Sequence, residues 1–137
     1  MTVLRSAVVA SVTAALWTAC ATAQPPATGD PGGTQQVTLA PGQTSTIDNG
    51  LRLRFDRVKN DSRCPADVAC IQAGEAVVAI TVTAADRSSR TYELHTIGAT
   101  SVVHDGLTIS LEKLEPQPVS SHPVRPADYR LTLRVGM

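Results

Sequence analysis

An all-β domain is what this sequence predicts. Three observations carry the expectation: apolar residues recur with period two along the body, turn-forming residues punctuate those runs, and no body segment shows an apolar stripe at helical spacing. Many short strands, each with one apolar face, bury those faces by folding as two packed sheets or a closed one. The expected architecture is therefore an antiparallel β-sandwich (Ig-like/Greek-key) or open barrel of seven to eight short strands, preceded by a signal segment.

The chain opens on an export signal. Arg5 supplies a short positive region, residues 7–19 are apolar or small and uncharged, and small residues follow. The run is too short to span a bilayer and has no stop-transfer flank. Two processing outcomes stay open. Ala21-Thr22-Ala23 is an A-x-A site, which makes residues 1–23 a signal peptide; Leu16-Trp17-Thr18-Ala19-Cys20 has the form of a bacterial lipobox, which ends the signal at residue 19 and puts a lipid on Cys20. Trp17 stands where that motif usually has a smaller aliphatic residue. Residues 24–36, rich in proline and glycine, read as a flexible linker, and residues 37–137 as the β domain. The length is enough for one core and not two.

Within the domain, residues 36–40 read as an edge strand. Leu51, Leu53 and Phe55 alternate with Arg52 and Arg54, and Ala76, Val78, Ile80 and Val82 share one face. Tyr92 and Leu94 are flanked by Glu93 and His95, Leu107, Ile109 and Leu111 alternate with Thr108 and Ser110, and Tyr129, Leu131, Leu133 and Val135 alternate with Arg130, Thr132 and Arg134. Each run is a strand with one buried face.

Two of these strands belong to an internal echo. Residues 44–58 align without gaps on residues 100–114, with identities at Thr44/Thr100, Ser45/Ser101, Gly50/Gly106 and Leu51/Leu107. Both segments read as hairpins, because Asn49-Gly50 and Asp105-Gly106 accept the positive φ of a type I′ turn. In both, the apolar phase then slips, from Phe55 to Val58 and from Leu111 to Leu114, as a β-bulge produces. The two hairpins are expected in related places in the sandwich.

Cys64 and Cys70 are the only cysteines outside the leader, and they sit between two strand runs. In an oxidising compartment they join as a disulfide, and closing so short a loop stabilises by roughly 2 to 2.5 kcal/mol. The spacing is C-x5-C, not the C-x-x-C of thiol oxidoreductases, and no second Cys or His pair completes a zinc site. A structural bridge is the expectation. Pro65 stiffens the loop, and Gly74 permits a bulge or a tight backbone approach where the next strand begins.

Charge and composition exclude several classes. The chain has 12 basic and 12 acidic side chains, one of the basic ones being Arg5 in the leader, so no bulk pull toward nucleic acid or anionic lipid follows. Outside the leader the aromatics are Phe55, Tyr92 and Tyr129 alone, too few for a stacking platform for bases or sugars.

The residues Asp61-Ser62-Arg63-Cys64-Pro65, Val68, Cys70-Ile71 and Ala73-Gly74-Glu75-Ala76, followed by Leu114-x-Pro116-x-Pro118 and Asp128-Tyr129-x-Leu131-x-Leu133-x-Val135, resemble a family of small uncharacterised bacterial exported proteins and lipoproteins. The resemblance covers most of the mature chain, and the cysteine loop is its specific part. Members usually carry Trp where this chain has Gln72. The resemblance implies the exported compartment and the fold, and it brings no reaction with it.

Candidate chemistry is sparse. His95, His104 and His122 are the residues from which a copper or zinc site would be built, but no two are spaced as a chelating pair, and all three read as surface residues. Asp61, Asp67 and Glu75 lack the oxygen spacing of a calcium loop and read as caps, turn partners or an ion pair with Arg63. No G-x-S-x-G elbow or comparable nucleophile setting appears. Arg52, Arg54, Arg130 and Arg134 project from outward strand faces and would form one basic stripe if their strands were neighbours; a solvated face is the plainer reading. Residues 115–128 hold four prolines, at positions 116, 118, 123 and 126, so this segment is no central strand and reads as a Greek-key crossover between sheets.

The expectation is a non-catalytic exported envelope protein, in the periplasm or at the cell surface. It is a binding or structural module with Arg63, Asp67, Gln72 and Glu75 on its contact loop. No cofactor and no metal ligand is assigned. An envelope protein or polymer is the expected partner, with no nucleic acid, with membrane attachment only through Cys20, and with a monomeric state. The alternatives are a periplasmic copper- or zinc-handling protein and a protease-inhibitor-like loop binder.

Overall fold

In the computed structural model, residues 33–47 and 50–137 are described; the leader, Cys20, most of the linker, Asp48 and Asn49 lie outside these residues. Eight strands follow one another: β1 (Gln35–Leu39), β2 (Thr44–Thr46), β3 (Arg52–Asp61), β4 (Ala76–Thr83), β5 (Ser89–His95), β6 (Ser101–His104), β7 (Leu107–Glu115) and β8 (Arg130–Gly136). A 3-10 turn, Pro126–Asp128, precedes the last. The fold class is the expected all-β one.

The strands form two four-stranded antiparallel sheets, in the orders β2-β3-β4-β5 and β1-β8-β7-β6. Hydrogen-bonded neighbours are consecutive in the chain, apart from β1 and β8. The connectivity is thus a meander rather than a Greek key, a flattened up-and-down barrel open along two seams. At one seam the β1–β2 turn reaches over to β3, with Gly42 N–H donating to Phe55 O (2.6 Å) and Phe55 N–H to Gln43 O (3.1 Å). At the other, the Tyr92 hydroxyl of β5 and His104 Nδ1 of β6 lie 2.8 Å apart. The segment read as a crossover between sheets therefore joins two neighbours of one sheet, because β7 and β8 pair antiparallel from Thr108↔Gly136 to Glu115↔Arg130. The expected edge strand is β1, which also takes in Gln35, paired with Val135 at the edge of its sheet.

The period-two pattern is what fills the core. Leu53, Phe55, Ala76, Val78, Ile80 and Val82 from one sheet meet Ile109, Leu131 and Leu133 from the other, all with no exposed surface. Leu39, Ile47, Leu51, Leu94, Leu114, Tyr129 and Val135 close the ends of the same cluster. At about 25 cal/mol per Å² of apolar surface removed from water, this one cluster supplies the main stabilising term. Its sequence signature is visible because each sheet is apolar on one face only.

The two echoed segments are hairpins as expected. Asp105 (φ 50°) and Gly106 (φ 78°) take the paired positive φ of a type I′ turn, and Gly50 has φ 74°. Each hairpin puts a short strand at a sheet edge and a long one beside it. The slips in apolar phase are β-bulges: the β3–β4 register jumps between Phe55 and Arg57, leaving Asp56 extra, and the β7–β8 register jumps between Leu111 and Lys113, leaving Glu112 extra. These two residues occupy the same place in the echo. A second bulge in β3 leaves Lys59 extra between Val58 and Asn60.

Candidate functional site

Two long connections of equal length, residues 62–75 between β3 and β4 and residues 116–129 between β7 and β8, leave the barrel at the same pole. Strand β3 delivers Asp61 there and β7 delivers Leu114, so antiparallel topology alone brings the loops side by side.

The first loop is closed on itself. Cys64 and Cys70 are joined, with their Cα atoms 6.0 Å apart, as the spacing predicts. Its base is stitched by Ser62, whose N–H donates to Glu75 O (2.8 Å) and whose hydroxyl donates to the same carbonyl (2.9 Å). The backbones come so close here that a Cβ on Gly74 would lie 1.5 Å from Ser62 O. That is the tight approach anticipated for Gly74.

Arg63 ties the two loops together. Its guanidinium makes a two-pronged contact with Asp61, Nε to Oδ1 at 2.8 Å and Nη2 to Oδ2 at 2.7 Å, and donates to the carbonyls of Leu114 (2.7 Å) and Pro116 (2.9 Å). Tyr129 donates its hydroxyl to Asp61 Oδ2 at 2.9 Å. The Arg63 and Asp61 side chains are 9% and 11% exposed. Arg63 is therefore an internal brace and does not offer its charge to a partner, a correction to its place on the expected contact loop. The reason is positional: the residue sits where two connections converge, and an arginine fork satisfies carbonyls that prolines leave without a local N–H partner.

The charges follow this geometry. Burial pushes the Asp61 carboxyl up, yet the hydrogen bonds from Arg63 and Tyr129 outweigh it and hold the group below the usual carboxylate range. Burial first, and then the hydrogen bond to anionic Asp61, pushes the Tyr129 phenol up to about 12.

Three more contacts fasten the proline-rich loop to the disulfide loop. Ala66 N–H donates to Pro118 O (2.9 Å), Gln117 Nε2 to Cys64 O (2.9 Å), and Ser120 N–H to Asp67 Oδ1 (2.8 Å), with the Ser120 hydroxyl donating to Asp67 Oδ2. Those donations from Ser120 hold Asp67 below its ordinary pKa. Glu75 faces His95 Nδ1 at 3.1 Å. Asp67 and Glu75 thus have partners within the protein, and Gln72 is exposed. Among exposed polar residues, the pole presents three large apolar side chains: Val68 (45% exposed), Ile71 (104%) and Val119 (38%). The sequence reading missed these three. The signal was legible in Val68, inside the disulfide-closed loop, and in Ile71, directly after its closing cysteine, where no alternation can bury them.

The histidines do not gather. His95 is with Glu75, His122 Nδ1 lies 2.8 Å from the Ser121 hydroxyl, and His104 Nδ1 lies 2.8 Å from the Tyr92 hydroxyl. His104 is not the surface residue expected of a turn; its side chain is 10% exposed, because the seam between β5 and β6 lays it edge-on against Tyr92. Among the described residues there is no group of three or more His, Cys, Asp or Glu that could hold a metal ion.

The expected basic stripe is split. Arg52 and Arg54 lie on β3 of one sheet, whereas Arg130 and Arg134 lie on β8 of the other. Arg134 pairs with Glu112 (2.6 Å), and Arg130 donates to the carbonyls of Ala127 and Tyr129.

At the pole opposite the loops lies a cleft of about 470 Å³ lined by Leu51, Ala84, Asp86, Asp105, Leu107 and Met137 among others. The chain comes into the domain at that pole, where Thr34 lies against Gly136. Comparison with known proteins finds no matching family, no matching curated protein and no matching solved structure. The site is read from its geometry.

Proposed function

We infer that this chain is a non-catalytic exported protein of the bacterial envelope whose paired loops form a contact surface for an envelope protein. One observation carries the reading: Val68, Ile71 and Val119 are held out in solvent by a pole whose backbone is fixed by a disulfide, by Arg63 and by three further loop-to-loop contacts. Apolar side chains fixed in place lose little entropy on binding, which is the usual economy of a recognition loop. The joined cysteines support an oxidising compartment. The domain's first strand starts at the opposite pole, so a chain tethered through its N-terminal segment, lipidated at Cys20 or not, presents the loops away from the tether.

The test is a photo-crosslinker placed at Ile71 in the full chain in cells, compared with one at Ala85 on the opposite pole. The expected result is a discrete protein adduct from position 71 that survives chelator. The absence of an adduct at 71, or the same adducts from both positions, overturns the reading; an adduct lost with chelator points to the metal-handling alternative, and one with a protease to the inhibitor alternative.

A further inference from the structure

The outer face of the β2-β3-β4-β5 sheet has a feature that the loop surface does not use. A strand alternates, so with Leu53 and Phe55 buried and Arg52 and Arg54 exposed, an unbroken β3 would turn Arg57 and Lys59 inward. The bulge at Asp56 reverses the phase. Arg57 then pairs with Ala79, Val58 points to the core, and Arg52, Arg54, Arg57 and Lys59 are all exposed on one side. Arg52 and Arg54 stand about 7 Å apart as alternate residues of one strand face, and the bulges at Asp56 and Lys59 carry Arg57 and Lys59 onto the same face further along β3, so the four cations follow one another along the strand.

The flanking strands carry hydroxyls. Thr46 and Thr83 sit either side of Arg52, and Thr44 and Thr81 either side of Arg54. Ser89 and Thr91 extend those rows on β5, where Thr83 and Ser89 are 2.9 Å apart and Thr81 and Thr91 3.0 Å. Two acids lie on this face: Asp56, 3.5 Å from Arg54, and Glu93, 2.5 Å from Lys59. Arg52 and Arg57 have no acid at ion-pair distance among the described residues.

We propose that this row is a binding site for a linear phosphate-bearing polymer lying along β3, its phosphates on the cations and its polar substituents on the threonine and serine hydroxyls. Cations following one another along a strand match a chain of anions, and the guanidinium groups of Arg52, Arg54 and Arg57 grip phosphate oxygens in a fork. A planar anionic membrane fits less well, since it would also press on Glu93, which lies off β3 on β5. The face carries no aromatic side chain on which to stack bases, so a nucleic acid would gain nothing beyond its phosphates.

The test uses inorganic polyphosphate as the probe and the disulfide-bonded mature chain. Binding is expected to weaken steeply with salt, and Arg52→Ser with Arg57→Ser should weaken it about tenfold. Lys113→Ser with Arg134→Ser removes the same charge from the other sheet and should change binding less than about twofold, because that face lies beyond a Debye length. Glu93→Gln, which frees Lys59, should tighten binding about threefold. Urea midpoints of all variants show that each is folded. No binding by the parent chain, or equal losses from the two double variants, overturns the proposal. So does phosphatidylglycerol vesicle or oligonucleotide binding that exceeds polyphosphate binding and shows the same mutational pattern, in favour of those partners.

Discussion

The segments β2–β4 and β6–β8 are built alike and finished differently. Each is an edge hairpin with a bulge at the same place, Asp56 or Glu112, followed by a connection of equal length to the next strand. The first connection is closed by Cys64–Cys70 and by Ser62 to Glu75; the second has prolines, and its own backbone bonds are His122 N–H to Val119 O and Asp128 N–H to Arg125 O. The proline loop leans on its neighbour, since its carbonyls at Pro116 and Pro118 take donors from Arg63 and Ala66. One loop is self-sufficient and the other is dependent, and that asymmetry follows from proline's missing N–H.

The strongest way to break this comparison is at Arg63. Arg63→Met leaves Asp61 buried without its cation and two carbonyls without donors, and should destabilise by about 3–5 kcal/mol in urea unfolding while opening the proline loop to protease. Gly74→Ala comes next: the new methyl meets Ser62 O, so the base of the disulfide loop has to move, at a cost of about 3 kcal/mol. Replacing Cys64 and Cys70 by serine should cost roughly 2–2.5 kcal/mol. Hydrogen exchange in that variant sharpens the comparison, because the dependent loop should gain exchange along with the loop that lost its bridge. If residues 116–129 stay protected, the dependence is wrong.

The smallest effect is one of pH. Asp61 has a lowered folded pKa, so its contribution is present above about pH 4 and is lost as pH falls through the folded value. Tyr129 has a raised one, so its contribution is full below about pH 10 and fades as pH rises toward about 12. Tyr129→Phe should lower stability by about 1 kcal/mol at neutral pH and flatten the alkaline limb between those values, read from urea midpoints across the range.

The strands were legible because one face of each is wet, which writes period two into the sequence; even the bulges showed as slips from Phe55 to Val58 and from Leu111 to Leu114. The disulfide and the tight approach at Gly74 were legible from spacing and residue type. Strand order was not. Nothing local in Arg52, Arg54, Arg130 or Arg134 tells which sheet a strand joins, so the basic stripe was assembled across strands that belong to separate sheets. The same blindness hid the brace, since Arg63 meets Leu114 and Pro116 far along the chain, and it turned a long hairpin connection into a crossover. His104 escaped for a related reason, its burial being set by the seam that lays Tyr92 beside it.

The single additional residue at position 56 makes the reading frame of β3 a matter of one codon. Deleting Asp56 would alter no apolar residue and no cation, and it would set Arg57 directly after Phe55, so simple alternation keeps Arg57 and Lys59 on the wet side of the sheet and Val58 on the dry one. Deleting Arg54 instead would turn either Leu53 or Phe55 to the wet side. A one-residue deletion at the bulge should therefore be far better tolerated than one two residues earlier in the same strand.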